Sequence, residues 1–327
     1  MAFNLPNLRN ISFRLRQLFA SVVLLYVISL TAFAAQTDNI AIVVSENTDA
    51  YKQVAERLRL RFELENPERA RFITIPAQAL DGKNADALAN YQLVVSVGVR
   101  AASLINNFDL PVPVLHTLLP RTAYEQLLSA KPANEKNSSA VFIEQPVARQ
   151  LEMVRLTTPQ VGKLGALLSA DTAAVGRMLE QAAKPLGLQM EFENIKSAVE
   201  LPSSLKRVLA RSDALLALPD VQVYNQSTLQ GILLNAYRSS TPVFGFSAAQ
   251  VKAGALAAVY STPEQIGNHA AELLLKAGDG GKWTLPPAQY PRYFNVAVNR
   301  EVSKSLGLQI DEDIVLQEKL KRSRSEP

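Results

Sequence analysis

The sequence has no cysteine, and only two histidines and one tryptophan in 327 residues. The first absence excludes disulfides, thiolate metal sites and anchoring through an acylated N-terminal cysteine. The two histidines, His116 and His269, are too few for a typical metal cluster and do not stand at ligand spacing. The chain also lacks a glycine-rich loop able to cradle phosphates and a Gly-x-Ser-x-Gly elbow, and no two acids stand out as an acid and base couple. No catalytic residue, metal or cofactor is therefore expected, and the protein does not read as an enzyme. A strong charge of one sign is missing too. Of the 34 lysines and arginines, three (Arg9, Arg14 and Arg16) lie in the first 17 residues, which leaves 31 against 30 acids. That near-neutral balance argues against a nucleic-acid partner. Several of the remaining bases sit at Lys319, Lys321, Arg322 and Arg324, where residues 316–327 read as a solvated basic C-terminal tail.

What is present begins with an export pattern. Three arginines without an acid precede an apolar run from Leu18 to Leu30, and small residues come next in Thr31-Ala32-Phe33-Ala34-Ala35. This is the order of a secretory signal peptide over residues 1–35, cut after Ala34 or Ala35. The alternative is an uncleaved anchor, since Leu18–Ala35 is near the shortest length that crosses a bilayer. Cleavage without a cysteine implies a soluble periplasmic protein that is not a lipoprotein.

Apolar residues make up 48% of the chain, enough for two cores of ordinary size. From Ile40 onward, short apolar runs alternate with helical patterns, as in parallel sheets covered on both faces. Strands are expected at Ile40–Val44, Arg71–Ile75, Leu93–Val97 and Pro113–Thr117. Val54, Leu58 and Phe62 put an apolar stripe on a helix near 51–64. After the polar connection 131–139, a second series places strands at 140–143, 163–168, 188–192, 214–218, 242–246, 255–259 and 294–298. Gln189, Glu191 and Glu193 alternate with apolar neighbours, which marks that strand as an edge. Thr262-Pro263-Glu264-Gln265 is a helix start with a capping box, and Gly278 its stop. The expected fold class is α/β, with two doubly wound Rossmann-like lobes.

Several segments carry a likeness to a known family. Gln150–Arg155 before Pro159, then Val161-Gly162-Lys163-Leu164-Gly165, resembles the helix, proline and strand that open its second lobe. Pro242-Val243-Phe244, Gly254-Ala255-Leu256-Ala257, the helix from Pro263 through Leu273, and Val298-Asn299 before Leu306-Gly307-Leu308 are similar to its closing segments. The family is that of the ABC-transporter substrate-binding proteins related to tryptophan- and tyrosine-uptake lipoproteins, of the type I periplasmic-binding fold. The likeness spans roughly Ile40 to Ile310. It implies two lobes joined by a hinge with three crossings, near Ile143, Ser261 and Pro291. Lobe 1 would be 36–143 plus 262–290, and lobe 2 would be 144–261 plus 291–315. It also implies a small polar or aromatic ligand, amino-acid-like, captured between the lobes, and a membrane permease as partner. The chain departs from the family at Thr117-Leu118-Leu119-Pro120 and at Ser169-Ala170-Asp171-Thr172, where ligand-loop motifs of many members are missing. A periplasmic sensor or protein-interaction module with a degenerate site, partnered by a membrane sensor, is the alternative.

Loops at the carboxyl ends of strands supply the candidate ligand contacts. They are Ser45 and Asn47 after the first strand, Gly98 and Arg100 after the third, and His116 and Thr117 at the end of the fourth. Lobe 2 offers Ser169 and Asp171, then Asp220, Tyr224 and Asn225, then Phe246. Each has a plainer reading: a helix cap for Ser45, Asn47 and Asp171, a surface arginine for Arg100, and a core ring for Phe246.

Overall fold

The computed structural model describes residues 38–80, 85–279 and 282–323. The expected signal peptide, 1–35, lies outside these residues. Among them, no helix is long and apolar enough to cross a membrane.

Two parallel sheets form the frame. The first joins β1 (Asp38–Val44), β2 (Ala70–Pro76), β3 (Leu93–Val97), β4 (Val114–Leu119) and β5 (Ser138–Phe142) in the order β2-β1-β3-β4-β5. The second contains β6 (Lys163–Leu168), β7 (Gln189–Asn194), β8 (Ala214–Leu216), β9 (Val243–Gly245), β10 (Ala257–Tyr260) and, after a small hairpin of β11 (Gly278–Asp279) and β12 (Lys282–Trp283), β13 (Asn295–Val298). Its order is β13-β10-β9-β8-β6-β7, and only β13 runs antiparallel to its neighbour. Both sheets thus repeat one doubly wound order, with the first strand of each unit inside and the second at the edge. β3 and β8 are buried along their whole length, which is why they read as unbroken apolar runs. β7 is the edge expected from its alternation, with Glu193 paired to Arg207 at 2.7 Å.

The chain changes sheets three times. After β5 it enters the helix Val147–Thr157, whose Leu151, Met153 and Val154 belong to the core of the second sheet. After β10 it returns in the helix Pro263–Ala277, whose Ile266, Ala270 and Leu274 fill the core of the first. Gln289 then bonds to β5 at Ala140 and Phe142, and the chain crosses back to β13 with Phe294 buried in the second core. Ser261 ties these crossings together: it accepts from Gln145 Nε2 at 2.6 Å and donates to the Tyr293 carbonyl at 2.6 Å.

The returning helix starts where its sequence says. Thr262 accepts from the Gln265 backbone while the Gln265 side chain accepts from the Thr262 backbone, completing the capping box. It lies against the helix Asp49–Glu65 so closely that a Cβ on Gly267 would stand 2.7 Å from the Val54 carbonyl oxygen and 3.2 Å from the Leu58 nitrogen.

The expected basic tail needs correction. Asp313–Arg322 is a helix in which Leu316 and Leu320 are fully buried in the second core. Their spacing of four puts both on one face. Lys319, Lys321 and Arg322 turn to solvent, so a charge-rich composition hid an amphipathic helix.

Two glycine substitutions separate packing from helix propensity. Alanine at Gly231, whose Cβ would meet nothing within 4 Å, should stabilise the protein by about 0.5–1 kcal/mol. Gly267→Ala should instead destabilise it by about 1–3 kcal/mol because backbone cannot yield. Urea unfolding of the two variants reads both signs, and a gain at Gly267 would refute the close approach.

Candidate functional site

The carboxyl ends of both sheets face one another, and a narrow cavity between them, partly open to solvent, is lined from both sides. From the first sheet come Pro120, Arg121, Thr122 and Glu125, just beyond β4, with Tyr290 beside them. The second contributes Val147 and Gln150 from the helix after the first crossing, Thr172, Val175 and Met178 beyond β6, and Leu218 and Pro219 beyond β8. Glu144 stands at the crossing itself. A wider groove lined by Tyr124, Phe142, His269 and Ala288–Arg292, with Pro146 and Arg149 from beyond the first crossing, adjoins this cavity and shares Arg121, Glu125 and Tyr290 with it.

A backbone irregularity aims the β4 end of this wall. Leu118 has φ of 55°, and the β4–β5 ladder slips between Thr117 and Leu119. Such a bulge bends the strand and redirects the residues beyond it, here Pro120 and Arg121. The bend lies in the same Thr117–Pro120 stretch that departs from the family pattern.

The electrostatics of the wall centre on Glu144. One of its oxygens accepts the Arg121 backbone N–H at 2.8 Å, while Oε2 is buried without a partner. Burial pushes its carboxyl up to about 7, against the pull of the Arg121 amide and guanidinium. The Arg121 side chain is held by Glu125 at 2.6 Å and by the Tyr290 hydroxyl at 3.3 Å. These bonds raise the pKa of the guanidinium further above its ordinary value. Gln150 donates its amide N–H to the Gln145 carbonyl at 2.8 Å, and its oxygen is buried and unbonded.

None of the sequence-expected contact residues lines this cavity. Ser45 is buried, donates to the Val97 carbonyl at 2.8 Å and accepts the Ala101 N–H at 2.9 Å, so it caps a helix that starts beyond Gly98. Gly98 is there because its φ is 89° and a Cβ would meet Ser45 Oγ at 2.6 Å. Asn47 and Arg100 are exposed. His116 lies in the first core, 2.7 Å from Ser96 Oγ, and burial lowers its pKa to about 4. Thr117 donates to the Ser96 carbonyl at 2.8 Å.

In the second lobe, the Asp220 carboxylate accepts from the Ser169 N–H at 3.0 Å, the Thr172 hydroxyl at 2.6 Å and the Gln222 N–H at 3.0 Å. It pins the loops after β6 and β8 together, which leaves little of it for a ligand. Ser169 accepts the Asp171 N–H at 3.2 Å. Tyr224 is in the core with its ring edge-on to Phe246 at 6.3 Å, and its buried hydroxyl has no partner. Burial, with Asp220 nearby, raises that phenol well above its ordinary pKa. Asn225 caps its own turn through Ser227 and Thr228. Asp171 does not cap the next helix, whose N-cap is Thr172. It bridges the lobes instead, accepting from Gln126 at 3.3 Å on one side and from Gln222 at 2.7 Å on the other.

Of the expected loops, those after β4, β6 and β8 reach this cavity, through Pro120, Thr172, Leu218 and Pro219 beside the expected residues, while those after β1, β3 and β9 do not. Glu144 and Gln150, which sequence reasoning missed, carry a signal of their own: an acid directly after the apolar run that ends at Ile143, and an amide on the buried face of the helix after Pro146.

This architecture, two lobes of one winding order joined by three crossings, is the type I periplasmic-binding fold. The sequence profile of the ABC transporter substrate binding proteins matches residues 78–320, and the chain belongs to that family. An ABC domain in complex with L-Trp from Streptococcus pneumonia is similar at 18% identity, with a TM-score of 0.62 over 86% of this chain and 98% of that one. A ligand-free, open substrate binding protein with adhesive properties from Clostridium difficile gives 18% identity and a TM-score of 0.65 over 85% and 97%. A conserved domain protein from Vibrio cholerae gives 19% and 0.60 over 86% and 98%. No curated protein matches the chain.

The roles of Asp220 and Tyr224 can be separated by stability. Asp220→Ala orphans buried donors and should cost about 2–4 kcal/mol. Tyr224→Phe removes an unbonded hydroxyl and should be neutral or stabilising by up to about 1 kcal/mol. Denaturant titration of each variant checks both, and a neutral Asp220→Ala would overturn the pinning role.

Proposed function

We propose that the protein captures a small molecule between its lobes and presents the closed form to the membrane permease of an ABC importer. The observation that carries this reading is the cavity at the facing carboxyl ends, walled by both lobes and bounded by the hinge at Glu144. A ligand touching both walls makes its full set of contacts only when the lobes are closed, so its binding energy shifts the population toward closure. Family membership supports the partner, and the signal-like N-terminus supports a periplasmic location after cleavage. The lobe limits 36–143 plus 262–290, and 144–261 plus 291–315, are part of this reading. Placing the contacts on the cavity residues replaces the twelve loop positions expected from sequence. The tryptophan bound by the streptococcal protein and the aliphatic wall of this cavity both favour a ligand with an apolar body.

A thermal-shift survey of the purified protein against amino acids, amines, nucleosides, sugars and organic acids tests capture. A true ligand raises stability by RT ln(1 + [L]/Kd), about 2.7 kcal/mol at a hundredfold excess over Kd. No shift with any class would refute the reading. In the same assay Asp171→Ala, which removes the bond between lobes, should weaken the ligand by up to about fivefold while leaving the unliganded protein as stable as before. Small-angle scattering should show a larger open fraction for that variant.

A further inference from the structure

Glu144 stands on the first crossing with its two oxygens in opposite circumstances. One accepts the backbone N–H of Arg121, the first residue of the helix Arg121–Ala130, whose N-cap is Pro120 and offers no side-chain acceptor. That oxygen serves the helix as its missing cap. Oε2 is shut away from water with no donor. Arg121 and Tyr290 bring the first lobe to this cavity and Val175, Met178 and Leu218 the second, so the enclosure exists only while the two sides meet. They meet in this structure, where Asp171 accepts from Gln126 at 3.3 Å across the cleft. A carboxylate oxygen kept from water and from donors disfavours the charged form, and a neutral carboxylic acid loses far less there. Once the sides part, water reaches the oxygen and the penalty goes. We propose that closure of the lobes takes up one proton at Glu144, so that acidification draws the protein toward its closed form without any ligand. The inference rests on the closing motion of the reading above but involves no solute, so either can fail while the other stands.

The groups around Glu144 leave the proton to it. The helix Arg121–Ala130 brings Arg121 and Glu125, the returning chain brings Tyr290, and Arg121 is engaged by both of these. On the helix after the crossing, Gln150 is uncharged and Arg149 is bonded to Gln145. The second-lobe segments contribute no charged or titratable side chain to the cavity wall. Burial pushes the carboxyl up to about 7 from an ordinary 4.5, against the pull of Arg121. Between those two values the closed form therefore holds more protons than the open form, and acidification favours it. Above about pH 8 both forms are ionised and the effect is gone. The ratio of closed to open protein should rise about tenfold from pH 8 to pH 6.

The chain has no cysteine, so spin labels on Lys52→Cys and Lys206→Cys, exposed positions on helices packed against the first and second sheets, report the opening directly. Double electron–electron resonance on the purified protein, with no solute added, should show the closed distance gaining about tenfold on the open one between pH 8 and pH 6. Glu144→Gln, which carries a permanently neutral group, should show no change over that range and be as closed at pH 8 as the parent protein is at pH 6. Asp171→Ala, which loses the bond between the lobes, should be more open at each pH and keep the pH dependence, which separates the proton from the latch. Carbon NMR of the Glu144 carboxyl in the parent protein should give a titration well above the ordinary carboxylate range. A distance distribution that does not change with pH, a change that survives in Glu144→Gln or vanishes in Asp171→Ala, or a carboxyl that titrates in the ordinary range would overturn the proton uptake.

Discussion

The structure depends on one contact between two helix backbones. The helix Pro263–Ala277 comes from the far end of the chain and settles on Asp49–Glu65 with nothing but hydrogen at Gly267 to separate it from the Val54 carbonyl. Its Ile266, Ala270 and Leu274 close the core over β1, β3 and β4, and without them one face of the first sheet would be wet. Because the first lobe is completed by a late segment, the chain must cross the hinge on its way there and again on its way back. The three crossings are thus a consequence of how one sheet acquires its cover, and the position of the cavity is set by the crossings.

Much of this was legible in the residues. Unbroken apolar runs such as Leu93–Val97 mark strands buried on both faces, and the capping box at Thr262 marks the start of the returning helix to the residue. The wet face of Gln189–Asn194 marks an edge, because a single strand carries its own burial pattern. What local pattern does not hold is which lobe a helix joins, since Pro263–Ala277 would be equally amphipathic against either sheet. The C-terminal helix failed for a different reason. Lys319, Lys321 and Arg322 dominate its composition, while Leu316 and Leu320, which decide its burial, make only a short stripe.

The site was legible at the level of loops and not of side chains. Strand ends had to face the cleft in a doubly wound fold, and the loops after β4, β6 and β8 do line it. Small polar residues at such ends serve two masters, however, and here the backbone takes them. Ser45, Thr117, Asp220 and Asn225 all spend their polar atoms on neighbouring amides, carbonyls or hydroxyls. The groups left over are those whose neighbours give them nothing to bond, and that is a property of three-dimensional packing. Glu144 and Gln150 belong to different elements, a crossing and a helix, and only the fold brings both into the wall of one cavity.

Ser261 gives the hinge a mechanical character. Its hydroxyl joins the first crossing at Gln145 to the third at Tyr293, and it lies on the second itself. Three independent linkers would let the lobes slide, twist and bend. Linkers pinned at a shared point keep chiefly the freedom to rotate about it, as a door keeps only its swing. On the solute-capture reading, a motion of so few dimensions would end at one closed shape whichever ligand drove it. On that reading, a membrane partner that inspects only the outer surface could read occupancy from shape alone, without contact with the molecule inside.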